Sequence, residues 1–158
     1  MRPSFALVAA LALAAPAAAF DLTGTWEGKQ TCGDFNGTAA KFTVPSSTIQ
    51  ITQVGTAIVM LVDGADYYNG VGIDATAKPE TGRTYFVHCG TSDVPGNGVD
   101  GFDETGSASV KTKDNGSGSL KGGSTFYNNN VDVGVCKWTY KRTSTTNPNL
   151  TSPCAPAM

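Results

Sequence analysis

Apolar and polar residues alternate with a period of two along most of this chain. From Leu22 onward no helical period develops. Short runs rich in Val, Ile, Thr and aromatic residues are separated by clusters of Gly, Asn, Asp and Pro, the signature of an antiparallel all-β chain. The runs that read as strands are 23–32, 40–44, 47–54, 57–63, 67–75, 83–89, 105–113, 117–127 and 133–143. The 19 glycines fit bulges and tight turns between them, and no repeat of about 20–50 residues is visible.

Two hairpins can be set in register from side-chain pattern alone. In STIQITQVGTAIVMLVD a two-residue Gly55-Thr56 turn pairs Val54 with Ala57, Ile51 with Met60 and Ile49 with Val62. That face is apolar, with Gln53 opposite Ile58 near one end. The other face carries Thr52 and Gln50 but also Val54, Ala57, Val59 and Leu61, so either a covering segment or an exposed apolar patch is expected there. In GSASVKTKDNGSGSLKGGSTFY a two-residue turn would set Val110 against Lys121. A three-residue Asp114-Asn115-Gly116 loop with a left-handed Gly116 sets Val110 against Leu120 and Lys111 against Ser119, which suits both faces.

The ends of the pattern also fit each other. In GTWEGKQTC, residues 24–32, Trp26, Gly28, Gln30 and Cys32 share one parity. In CKWTYKR, residues 136–142, Cys136, Trp138, Tyr140 and Arg142 do. If the two run antiparallel with Cys32 facing Cys136, then Trp26 meets Arg142, Gly28 meets Tyr140 and Gln30 meets Trp138. On the outer face Glu27 meets Lys141, Lys29 meets Thr139 and Thr31 meets Lys137. One assumption yields an aromatic–cation pair, a small residue under a large one and an opposite-charge pair. First and last strands paired in this way close a meander barrel and remove both sheet edges.

Composition narrows the setting. Residues 1–19, MRPSFALVAALALAAPAAA, have one positive charge, an apolar run and an Ala17-Ala18-Ala19 exit. That layout is a cleaved secretory signal, too short and alanine-rich for a membrane span and without the basic flank a retained anchor would carry. The expected divisions are the signal at 1–19, a barrel domain at 20–143 and a Pro-rich tail at 144–158, in a secreted or periplasmic protein. The formal net charge of −2 becomes more negative once Arg2 leaves with the signal. No basic cluster points to nucleic acid or anionic lipid, and neither nucleic-acid binding nor membrane insertion is expected.

The four cysteines of an exported chain read as two disulfides with three possible connectivities. The nearest pair, Cys136 and Cys154, is 18 residues apart, too far for zinc-type spacing. The closing register selects Cys32–Cys136, which leaves Cys89–Cys154 to tie the tail back by elimination. The expected fold is therefore all-β: an antiparallel meander β-barrel of about eight strands, disulfide-stapled, following the signal.

Gly24-Thr25-Trp26 on the first strand, with Arg142 on the last set to cover that tryptophan, resembles the calycin superfamily of lipocalins and avidins. LTGTW, residues 22–26, is similar to the avidin opening. The resemblance implies the barrel and structural roles for Trp26 and Arg142. It implies no ligand, because Glu27-Gly28-Lys29 replaces the polar turn by which avidins contact biotin, and no lipocalin Thr-Asp-Tyr motif follows in the late hairpins. Small exported barrels of similar form include bacterial inhibitors of proteases and lysozymes.

No constellation calls for catalysis or a cofactor. His88, the one histidine, has no nucleophile-elbow serine to serve and is expected at the surface or against a loop. The inward positions deduced above hold no carboxylate pair of the kind glycoside hydrolysis needs. In SDVPGNGVDGFDET, Asp93, Asn97 and Glu104 fall at calcium-loop positions and Asp100 adds an oxygen, but Pro95 breaks the pattern and no helix flanks it, so a solvated loop is expected. Function is expected to be binding. One form holds a small molecule in the lumen against Trp26, Met60, Trp138 and Tyr140, oriented by Gln30 and Gln53. The other docks a loop or outer patch on a secreted protein, as an inhibitor would.

Overall fold

The computed structural model describes residues 20–33, 41–74, 81–89, 102–128 and 131–154; the signal at 1–19 lies outside them. Eight strands follow one another as a closed antiparallel barrel: β1 (Gly24–Gly33), β2 (Phe42–Val54), β3 (Ala57–Val62), β4 (Asp66–Asp74), β5 (Thr81–His88), β6 (Phe102–Thr112), β7 (Gly118–Asn128) and β8 (Val131–Ser144). No helix occurs among the described residues.

Nine expected runs become eight strands because 40–44 and 47–54 are one. Gly28 pairs with Ser47 and Gln30 with Val44, so Pro45 and Ser46 together oppose Lys29. This is a β-bulge, and a proline that cannot donate to the ladder is tolerated at such a break.

All the proposed registers are present. Ile49, Ile51 and Gln53 face Val62, Met60 and Ile58, and Val110 and Lys111 face Leu120 and Ser119 across a loop where Gly116 has φ 81°. On the β1–β8 seam Trp26 meets Arg142, Gly28 meets Tyr140, Gln30 meets Trp138 and Cys32 meets Cys136. Cys32 is bonded to Cys136, and Cys89 to Cys154. Glu27 and Lys141 face one another as expected, yet no ion pair joins them among the described residues.

The strand glycines do a job beyond turns and bulges. On the inward face of β6 and β7, Gly106 and Gly122 leave a floor without side chains. The Phe86 ring from β5 lies over Gly106 and the Trp138 ring from β8 lies over Gly122. They meet with centroids 5.6 Å apart. Gly28 receives Tyr140 in the same way, and Gly134 receives Phe126. Large rings thus lie along the wall where upright rings would fill the lumen.

One end of the barrel is plugged. Leu22 and Trp26 are fully buried there with Phe20. Trp26 Nε1 donates to the Leu22 carbonyl at 2.9 Å, and the Arg142 guanidinium sits 4.6 Å above the indole while donating to the carbonyls of Asp21 and Gly116. Burial pulls the Arg142 pKa below its usual value, with Asp21 opposing. The tail crosses the outside of β2, where the Thr52 hydroxyl donates to Asn147 Oδ1 and accepts from the Leu150 amide, both at 2.9 Å. So the second face of that hairpin is covered at Thr52 and exposed at Val54.

Candidate functional site

Above the plug the barrel keeps a cavity of about 250 Å³. Its wall is apolar: Ile49, Ile51, Ile58, Met60, Leu120, Phe86, Phe126 and Trp138 contribute, together with the Cys32–Cys136 bridge. A volume of this size equals that of about eight waters of bulk liquid, slightly below the range common for drug-sized ligands. Rings of β4, β5 and β8 run edge to face along the wall: Tyr140 against Trp138 at 5.9 Å and Tyr68 against Phe86 at 5.7 Å.

Polar groups enter this wall at two places. In the first, Ser47, fully buried on β2, accepts from Tyr140 Oη at 2.9 Å and Gln30 Nε2 at 3.2 Å and donates to Asp63 Oδ2 at 2.9 Å. Asp63 Oδ1 accepts from the Thr48 amide at 2.7 Å, so both its oxygens are engaged in holding the β3–β4 turn, where Asp63 itself has φ 49°. In the second, Tyr68 Oη on β4 donates to Glu104 Oε2 on β6 at 2.5 Å. Burial pushes the Tyr68 phenol far above its ordinary pKa, and the nearby charges of Glu104 and Asp66 add to the effect. Burial also raises Tyr140, opposed by its hydrogen bonds to Ser47 and Gln30. Asp66 lies at the rim, 3.8 Å from His88 Nε2.

Of the residues expected to hold a ligand, Gln30, Met60, Trp138 and Tyr140 line the cavity. Trp26 and Gln53 do not. Trp26 is fully buried in the plug. Gln53 sits there too, where Oε1 accepts from the Leu22 amide at 2.9 Å and Nε2 donates to the Phe20 and Gly55 carbonyls at 3.0 and 2.8 Å. Parity placed it on the inner face, but parity carries no information about depth.

His88, expected at the surface or against a loop, is buried and edge-on to Tyr68 at 5.1 Å. It shares the inward parity of Thr84 and Phe86, both of them buried. The inward positions deduced from the sequence hold no carboxylate pair, yet the structure brings three other carboxylates, Asp63, Asp66 and Glu104, to the cavity. Asp66 and Glu104 lie on β4 and β6, whose pairing the sequence pattern leaves open at that end, and Asp63 lies in the turn between β3 and β4. Of the calcium candidates, Asp93, Asn97 and Asp100 lie outside the described residues. Glu104 is on β6 and bound to Tyr68, and no group of three or more His, Cys, Asp or Glu side chains suited to a metal occurs among the described residues.

A second surface stands out on the opposite side of the wall. Val54, Ala57, Val71 and Tyr85 fall in one cross-strand row over β2–β5, and Val54, Val71 and Tyr85 are exposed, with Ile73 and Val87 beside them. The eight-strand closed meander is consistent with a calycin-like fold, and the two cysteine pairs are compatible with an extracellular or periplasmic location. Comparison with known protein families, with curated proteins and with solved structures yields no match.

Proposed function

We propose that this is an exported calycin-like binding protein that holds a small, partly apolar ligand in the barrel lumen and acts by binding rather than catalysis. The observation that carries this reading is the cavity of about 250 Å³ left beside Trp138 and Tyr140. A barrel whose large side chains served only as core would fill that space, because protein interiors pack to near-crystalline density. Recumbent rings over Gly28, Gly106 and Gly122 keep it open. Gln30 and the Tyr140–Ser47 pair supply the few convergent polar groups that orient a ligand in an apolar pocket.

The test is mass spectrometry of small molecules released by denaturing protein purified from its native source. A single species near one equivalent is expected. Its absence, with one protein co-purifying instead, would favour the second reading. In that reading the outer row of Val54, Val71 and Tyr85 docks on a secreted partner, as in an inhibitor. The exposure of those side chains on neighbouring strands is what supports it.

A further inference from the structure

We infer that the lumen ligand carries a positive charge on its apolar body, with the cationic end seated at the rim between Asp66 and Glu104. The inference rests on the lumen reading above and adds the ligand's chemical class: an aliphatic or arylalkyl amine.

The cavity is a site on its own grounds, by volume and apolar wall. Its charge is what selects. Among the described residues lining it three are carboxylates, and none is Lys, Arg or His. Asp63 is excluded as the acceptor because the Ser47 hydroxyl and the Thr48 amide already occupy both of its oxygens. Asp66, whose Oδ1 lies 3.8 Å from His88 Nε2, and Glu104 remain. Asp66 stands two residues before Tyr68 on β4 and Glu104 accepts from the Tyr68 hydroxyl, so the two carboxylates flank that phenol. Glu104 has one hydrogen bond from Tyr68, whereas an ionised carboxylate offers about four lone-pair sites. The Asp66 side chain is 42 % exposed, which places it where a hydrated cation would first be met.

The walls next to this pair suit the same ligand. Phe126 pairs with Glu104 across β6–β7, and Tyr68 and Phe86 stand edge to face below. Ring faces attract an ammonium group through their quadrupole, while the remaining apolar lumen takes the hydrocarbon end. An anionic ligand such as a fatty acid would meet the carboxylates at the rim with no Lys or Arg among the described lining residues to offset them.

Three probes of matched shape test this: 2-phenylethylamine, propylbenzene and 3-phenylpropanoate, titrated calorimetrically into the full mature chain at neutral pH. The amine should bind at least about 10-fold more tightly than the neutral hydrocarbon, since hydrogen bonds to charged groups exceed neutral ones by roughly that factor. The acid should bind weakest. Glu104→Gln, which keeps an acceptor for Tyr68, and Asp66→Asn should each bring amine and hydrocarbon closer, and the double variant should make them equal within about twofold. Circular dichroism of each variant checks the fold. Equal or tighter binding of propylbenzene or phenylpropanoate by the wild-type chain overturns the charge inference and leaves the lumen reading standing. Failure of all three to bind up to millimolar concentration overturns both.

Discussion

Ser47 accepts from Gln30 and Tyr140 and donates to Asp63, using the one proton and both lone pairs that a serine hydroxyl has. Ser47→Ala would leave the Tyr140 hydroxyl buried without its acceptor, at a cost of about 1–3 kcal/mol. Tyr140→Phe removes donor and need together, and Gln30 still serves Ser47, so about 1 kcal/mol is expected. Urea unfolding of both variants checks the order; a Tyr140→Phe loss as large as that of Ser47→Ala would sink the relay. The buried phenols also set an alkaline limit. Tyr68 and Tyr140 hold their protons to higher pH in the folded chain than the ordinary value of 10.0. Their stabilisation is intact below that pH and declines above it, as the unfolded chain releases protons that the folded one keeps. Each contributes a slope of at most about 1.4 kcal/mol per pH unit. Unfolding free energies measured between pH 8 and 11 should fall above pH 10 in the wild type, and less steeply in Tyr68→Phe. An unchanged slope would count against the buried phenol as the cause.

A strand's parity declares which face a side chain takes, and on β1 and β8 that was enough to set the whole seam. Parity says nothing about height along the barrel. Gln30 and Gln53 therefore read alike in the sequence, although one lines the cavity and the other ties down the plug. The partner of each strand matters as much. Glu104 faces Phe126 and lies beside Tyr68 only because β6 pairs with β7 and β4 brings the phenol across, and no turn chemistry in the sequence announced that β4–β6 arrangement. Strand glycines were legible as glycines but not as sockets for rings. At Gly28 a Cβ would come within 2.1 Å of the Thr139 carbonyl oxygen and 2.6 Å of Tyr140 Cδ1, whereas at Gly33 it would meet only the flexible Lys41 Cγ at 3.3 Å. Gly28→Ala should then lose about 2–3 kcal/mol through forced separation of β1 and β8, and Gly33→Ala less than about 0.5 kcal/mol. Denaturant midpoints decide it, and equal shifts would reject the socket role.

At the scale of the molecule the two disulfides close loops of similar length but different consequence. Their sequence separations are 104 for Cys32–Cys136 and 65 for Cys89–Cys154. In the chain-entropy model these are worth about 4.7 and 4.3 kcal/mol, a difference too small to rank them by stability. Position separates them. Cys32–Cys136 crosses the seam where the first strand meets the last, and both cysteines line the cavity. Cys89–Cys154 fastens the tail to the residue after β5, outside the lumen wall. The double variants Cys32→Ala/Cys136→Ala and Cys89→Ala/Cys154→Ala should therefore show comparable losses of unfolding free energy, within about 1 kcal/mol of each other. Hydrogen exchange should tell them apart. Without the seam bridge, the amides of Gln30 to Gly33 lose protection first, because the open end of a barrel without its closing staple frays as two sheet edges. Without the tail bridge, those amides keep their protection, and the change appears at Leu150, whose amide bonds Thr52. If both variants exposed the same amides, barrel closure and tail attachment would be one cooperative event, and the seam would have no stability of its own to assign to the Cys32–Cys136 bridge.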